Sequence, residues 1–306
     1  MLLGVTLPHH GPLASPEAVR ETALGAEALG FDVLGTADHV AMPRKVASLY
    51  DLGPSPVAIP EGNLTRTLTP LYEILATMAY AAGLTTRVRL STGVLVLPLR
   101  NPIYNARQIA TIDAYSGGRV DLGIGAGWLK EEAEAMQLPW DERGVRTEEH
   151  IGVLRTLWTA SEPYVSYNGR FYHFDEIDPA PFPAQRPVPI LVGGHSPAAK
   201  RRAGRIGNGW MTTGLPAEAQ AAGMEDVSKA AEAAGRDPQG LLWHGAATAR
   251  YESGAPKAPD SILGLVRAYR ELGVQSMVLQ CQARSLADRM TLLEWLAREA
   301  LPVAHA

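Results

Sequence analysis

One cysteine, Cys281, stands among 306 residues. An intrachain disulfide is therefore impossible, and so is a multi-cysteine metal or iron–sulfur site. Long apolar runs are missing too: no stretch approaches the roughly 20 residues a membrane-spanning helix needs. Charge of one sign is not concentrated anywhere. The 28 basic and 32 acidic residues leave a net charge of −4, with no basic face to attract nucleic acid or anionic lipid. The opening "MLLGVTLPHHGPL" lacks the basic and long apolar regions of a secretory leader. These absences predict a cytoplasmic protein acting on a small molecule, without nucleic-acid or membrane partners. Two catalytic signatures are also absent, HExxH and GxSxG. Nor does the end of the first apolar run carry an H-x-H pair. Its His9 and His10 are adjacent, so on an extended strand they diverge, and no metal is expected.

What is present is a large apolar fraction, 46%, arranged as short β-branched or leucine-rich runs alternating with longer amphipathic ones. That alternation is the pattern of repeated βα units. Strands are expected at Leu2–Leu7, Asp32–Thr36, Arg89–Leu97, Arg119–Ile124, Pro189–Val192, Gly209–Thr212, Trp243–Ala249 and Ser276–Gln280. Helices are expected at Pro16–Leu29, Leu71–Gly83, Pro102–Tyr115, Glu131–Thr159 in two pieces, Pro197–Ile206, Ala217–Ala234, Ser261–Leu272 and Leu286–Ala300. Glycine sits at several helix-to-strand joints (Gly30, Gly83, Gly117–Gly118, Gly207, Gly273) where a left-handed exit is commonly needed. Eight units favour closure into a single (β/α)8 TIM barrel domain over an open sheet. Two segments interrupt the repeat. Residues 40–69 follow strand 2 as a Pro- and Gly-rich candidate lid and substrate-pocket wall, and residues 161–187, between strands 4 and 5, carry a hairpin with Asn168-Gly169 at its tip.

In such a barrel the residues just past each strand share one mouth. Here they are His9 and His10, Asp38 and His39, Arg100 and Asn101, Gly125 to Trp128, Gly193 to Ser196, Thr212 and Thr213, Arg250, and Gln280 with Gln282. Polar groups converging from many strands point to a catalytic site. In "LVGGHSPAAKRR" Ser196 is placed to cap a helix that Pro197 opens, so Gly193, Gly194, His195 and Ser196 form a candidate anion site. The run "LGIGAGW" is not a dinucleotide fingerprint, because its glycines follow GxGxG. Gly125, Ala126 and Gly127 instead suggest close backbone approach to a flat ring, with Trp128 as a wall or a core residue.

Together "AEALGFDVLGTADHV", "RVRLSTGVLVLPLRNP", "IATIDAYSGGRVDLGIGAGWLKEE", "GRFYHF" and "PILVGGHSPAAKRRAGRIGNGW" resemble the luciferase-like monooxygenase superfamily, and within it most nearly the F420-dependent oxidoreductase branch. The resemblance implies a barrel that binds deazaflavin F420 or, alternatively, FMN, in a homodimer. It places Asp38 and His39 beside the cofactor ring as catalytic residues, His39 moving a proton and Asp38 orienting it or touching the ring. It places Thr92, Gly93 and Val94 behind the ring, with a cis Gly93–Val94 peptide. Gly125, Ala126 and Gly127, with Gly193 to Ser196, would complete cofactor binding, while His9, His10 and Trp128 would meet substrate. Three functions are open: F420-dependent hydride transfer, oxygenation by reduced FMN, or a non-catalytic flavin-binding or assembly role.

Overall fold

The computed structural model describes residues 1–50, 57–58 and 60–306. Eight strands alternate with eight helices. The strands are β1 (Leu2–Thr6), β2 (Val33–Thr36), β3 (Arg89–Val96), β4 (Val120–Gly125), β5 (Ile190–Gly193), β6 (Gly209–Met211), β7 (Leu242–Glu252) and β8 (Ser276–Gln282). Each pairs in parallel with its sequence neighbours, and β8 returns to β1 through Leu2↔Ser276 to Val5↔Leu279. The sheet therefore closes, as the pattern of repeats predicts, into a (β/α)8 barrel.

Around it lie α1 (Pro16–Ala28), α2 (Ile74–Leu84), α3 (Pro102–Ser116), α4 (Arg143–Trp158), α5 (Pro197–Ile206), α6 (Ala217–Ala233), α7 (Pro259–Glu271) and α8 (Leu286–His305). Sequence-level start signals account for most of their first residues. Ser15, Asn101, Ser196 and Ser285 each accept a first-turn amide, and proline occupies the first turn after the first three. The second helix starts at Ile74, later than the expected Leu71, because Glu73 provides the cap by accepting the Ala76 N–H. Leu71 is instead drawn into an antiparallel bridge with His10. No helix among the described residues is long and apolar enough to cross a membrane.

Two of the expected glycine exits do not occur. Gly83 remains inside α2, and Gly207 leaves α5 at φ −78, whereas Gly30, Gly117, Gly118 and Gly273 do take positive φ. At the end of α2 a guanidinium does the capping: buried Arg119 donates to the carbonyls of Ala82, Thr85 and Val88. Burial pushes its pKa down.

Both interruptions carry secondary structure of their own. After β2, Leu49–Tyr50 pairs antiparallel with Val57–Ala58, followed by a short helix Asn63–Leu68. Residues 51–56 and 59 of the candidate lid lie outside the described residues. Between β4 and β5 the chain makes a short helix, Lys130–Ala135, then α4, then the hairpin Val165–Asn168 with His173–Ile177. Asn168 pairs with His173, so the tip is the four residues 169–172 and not a two-residue Asn-Gly turn.

Barrel closure relies on glycine where strands crowd. A Cβ on Gly209 would collide with the backbone carbonyl of Leu242, its partner across β6 and β7. Gly209→Ala is therefore expected to cost about 1–3 kcal/mol, read as a lower urea midpoint at unchanged slope.

Candidate active site

The end of β2 delivers Asp38 and His39 to the barrel mouth, but they do different work. The Asp38 side chain is wholly buried and accepts the Val96 amide at 2.8 Å. Both its oxygens are also held by Arg100, at 2.6 and 2.8 Å, in a bidentate pair. Glu73 stands behind Arg100 at 3.3 Å. Burial opposes the charge of Arg100, yet Asp38 and Glu73 outweigh it and raise its pKa. Arg100 is thus the ion-pair partner of Asp38.

The expectation that Asp38 orients His39 is corrected. His39 turns away from it and sets Nδ1 2.9 Å from Glu132 Oε2, on the short helix after β4. Glu132 is 2% exposed. Burial works against its ionisation, but the His39 bond and charge and the amides of Val40 and Ala41 hold its carboxyl below the usual range. Trp128, half-buried, meets the His39 ring edge-on at 5.9 Å. Sequence reasoning missed Glu132, whose only signal was the acid pair in "WLKEE", 93 positions from His39.

Between Thr92 and Leu95 the register of β3 against β4 shifts, and the Gly93–Val94 peptide is cis, at the place expected. Thr92 is buried, its hydroxyl donating to Gly123 O at 2.7 Å, while Gly93 is exposed. The bulge throws the Val94 side chain sideways. A Cβ on Gly125 would stand 2.7 Å from one of its methyls, and a Cβ on Gly193 would overlap the other. These glycines clear room for Val94. Gly127, at φ +87, then turns the chain toward Trp128, and Ala126 is half-buried. One contiguous rim results: His39, Trp128, Gly125, Val94, Gly193.

The rim continues into α5. Ser196 caps the helix by accepting the Ala199 amide at 3.2 Å, and Gly194, Ser196, Pro197 and Ala198 are exposed. His195 is tied across to β6, where its Nε2 accepts the Thr213 amide at 3.5 Å. A second group that sequence did not reveal lies alongside. Arg143, at the start of α4, donates to Gly127 O and Trp140 O, and among the described residues no carboxylate lies within ion-pair distance. Burial is the main cause of its lowered pKa.

On the far side of the mouth Gln280 donates to the Thr213 hydroxyl and receives that of Thr248, both at 3.4 Å, and Arg250 bonds Gln282 at 2.9 Å. The two β1 histidines separate in role. His9 is fully buried, with Nδ1 3.1 Å from Leu7 O and Nε2 2.7 Å from Ala37 O, so it ties β1 to the end of β2 and is removed from the candidate substrate contacts. His10 is half-buried beside it. Burial, then His9, His39 and Arg289, push its pKa down to about 3, leaving it neutral near pH 7. Among the described residues no group of three His, Cys, Asp or Glu side chains is placed to hold a metal ion.

The luciferase-like monooxygenase family model matches residues 1–246. An uncharacterized protein of Mycobacterium tuberculosis is 37% identical over 193 residues, 63% of this chain and 64% of that protein. The match thus spans just under two thirds of that relative's length. The F420-dependent glucose-6-phosphate dehydrogenase of Nakamurella multipartita is 32% identical over 202 residues, 65% of this chain and 52% of the other. The FMNH2-dependent dimethylsulfone monooxygenase of Pseudomonas putida is 39% identical over 139 residues, 44% and 38%. Among solved structures, monooxygenase RslO1 of Streptomyces bottropensis superposes over 99% of both chains with a TM-score of 0.76 at 24% identity, a likeness of fold.

Arg100→Leu would strand the Asp38 charge in the interior. A loss of about 3–5 kcal/mol in urea unfolding is expected, and Asp38→Asn with Arg100→Leu should recover part of it.

Proposed function

Because the chain belongs to the luciferase-like monooxygenase family, we propose that it is an F420-dependent oxidoreductase acting on a small organic molecule. The observation that carries this reading is His39: one ring nitrogen is fixed by a buried carboxylate, and Nε2 has no protein partner among the described residues. That is the arrangement of a proton-handling group. The similarity to the Nakamurella enzyme, spread over more of the chain than that to the Pseudomonas one, favours the deazaflavin.

The residues present fit a flat ring with a phosphate-bearing tail. The exposed first turn of α5, its Ser196 cap and the guanidinium of Arg143, which stacks on Trp140 and meets no carboxylate among the described residues, offer an anion site, so Gly193 to Ser196 and Arg143 would hold the phosphate. Thr92, Gly93 and Val94 would back the ring, and Gly125 to Gly127 would border it. The chemistry a bound deazaflavin supplies is hydride exchange at a ring carbon. The chain itself orients substrate, excludes water with Trp128 and its neighbours, and takes or gives a proton at His39 Nε2. Asp38 acts at one remove, fixing the strand ends that carry His39 and the bulge. His10, neutral and beside His39, is placed to accept or donate a hydrogen bond to an uncharged substrate.

The Pseudomonas relative favours a second reading, oxygenation of substrate with reduced FMN. Fluorescence titration with F420 and with FMN separates the two, paired with oxygen-uptake measurements. F420 binding without oxygen uptake is expected; tight FMN binding without F420 binding would reverse the order. His39→Ala should reduce turnover at least ~100-fold with the fold intact by circular dichroism, and unchanged turnover removes His39 from the chemistry.

We also propose that the chain forms one barrel domain and pairs with a second copy. Tyr104 and Tyr115 on α3, 64% and 77% exposed, are large apolar surfaces left uncovered. Light scattering should give twice the 32.8 kDa chain mass; a monomer mass at micromolar concentration refutes pairing.

A further inference from the structure

The helix Lys130–Ala135 grips residues 39–48 at both ends. At the near end Glu132 accepts three donors: His39 Nδ1 at 2.9 Å, the Val40 amide at 2.5 Å and the Ala41 amide at 3.0 Å. At the far end Glu131 accepts the amides of Ala47 and Ser48, at 2.6 and 3.1 Å, and the Ser48 hydroxyl at 2.8 Å. The same hydroxyl receives the Lys130 amide at 3.0 Å. An ionised carboxylate only accepts hydrogen bonds. Both backbone amides donate to Oε1 and, with the His39 bond and charge, hold the carboxyl below its usual range against burial, so Oε2, the oxygen facing His39, carries no proton and can only accept. It follows that the His39 nitrogen facing Glu132 bears the hydrogen. In a neutral imidazole the lone pair is then on Nε2.

We propose that Glu132 is a positioning residue that locks neutral His39 in its Nδ1–H tautomer, leaving Nε2 as the proton acceptor. The neighbouring sequence acid cannot take this part, since both Asp38 oxygens are occupied by Arg100 and one also by the Val96 amide. Of the neighbouring rings, Trp128 lies edge-on to His39, and His10, from the end of β1, is neutral near pH 7. The catalytic meaning of the tautomer rests on the proton-handling reading of His39; the tautomer itself does not.

Glutamine is the informative replacement. It keeps the shape of Glu132 but presents one donor to a site that supplies only donors, so either His39 or the Val40–Ala41 amides lose their acceptor. Long-range proton–nitrogen spectra of 15N-histidine protein without cofactor, at about pH 8, read the tautomer directly, with His39→Gln assigning the signal. Native protein should show Nδ1–H alone. Glu132→Gln should give a mixed or inverted pattern and lower kcat at least ~10-fold, with cofactor affinity within ~3-fold of native. Glu132→Asp, which keeps the charge, should restore part of both. An Nε2–H tautomer in native protein, or native spectra and native kcat in Glu132→Gln, overturns the proposal. Should Glu132→Gln fail to fold, the native spectrum and that of Glu132→Asp decide. Failure of native protein to bind F420 or FMN overturns the proposed activity instead, because the tautomer is read without either.

Discussion

The geometry of this site hangs on the buried pair of Asp38 and Arg100. One carboxylate joins three pieces of chain: the end of β2 that bears it, the end of β3 through the Val96 amide, and the segment after β3 through Arg100. A buried ion pair contributes little net stability, because desolvation offsets its attraction. Its effect is on specificity. Removing either partner leaves a charge in the interior, so alternative placements of these strand ends are penalised by several kcal/mol, on the order of 3–5. The bulge at Gly93–Val94 and the imidazole of His39 are carried by the two strand ends so joined. Their relative position therefore inherits the rigidity of the pair.

From that fixed seam the mouth divides into two unlike halves. Along β2 to β5 the residues are small or planar: Gly93, Gly125, Gly193, His39 and Trp128. Val94 fills the volume that side chains on Gly125 and Gly193 would have needed. Along β6 to β8 the residues are longer and hydrogen-bonded to one another, Thr213 and Thr248 through Gln280, Arg250 through Gln282. In the first half the backbone is exposed at Gly93 and partly so at Gly193. The second offers hydroxyls and amides, with one guanidinium, that of Arg250.

Much of the barrel was legible in the sequence. Hydrophobic period and capping residues are local, and they located all eight strands and, to within a few residues, the helices that follow them. Ser196 with Pro197 announced the α5 terminus for the same reason. Partner choice was not local. That Asp38 faces Arg100 and His39 faces Glu132 depends on pairings 62 and 93 residues apart, which no periodicity encodes. His9 and His10 show the limit in miniature. Their adjacency implied divergent directions, but which one entered the core depended on Ala37 O lying within reach of His9. Glycine is silent for a related reason. It reports that space is needed but not for what, and at Gly125 and Gly193 the neighbour is Val94 from another strand.

Two acids next to each other in sequence thus serve opposite ends of one loop, while an acid and an imidazole next to each other in sequence serve different partners. The common cause is the parallel barrel, in which every strand end reaches the same rim and neighbours in space come from distant units. A short helix inserted after β4 can then reach back across β3 to β2. It does so with carboxylates because the β2 loop presents backbone amides, which an ionised acid satisfies without needing a donor of its own. Once Glu132 is committed to the Val40 and Ala41 amides, its remaining accepting capacity is directed at His39. The hydrogen bonding of the His39 ring is in this way tied to how a loop's backbone is satisfied.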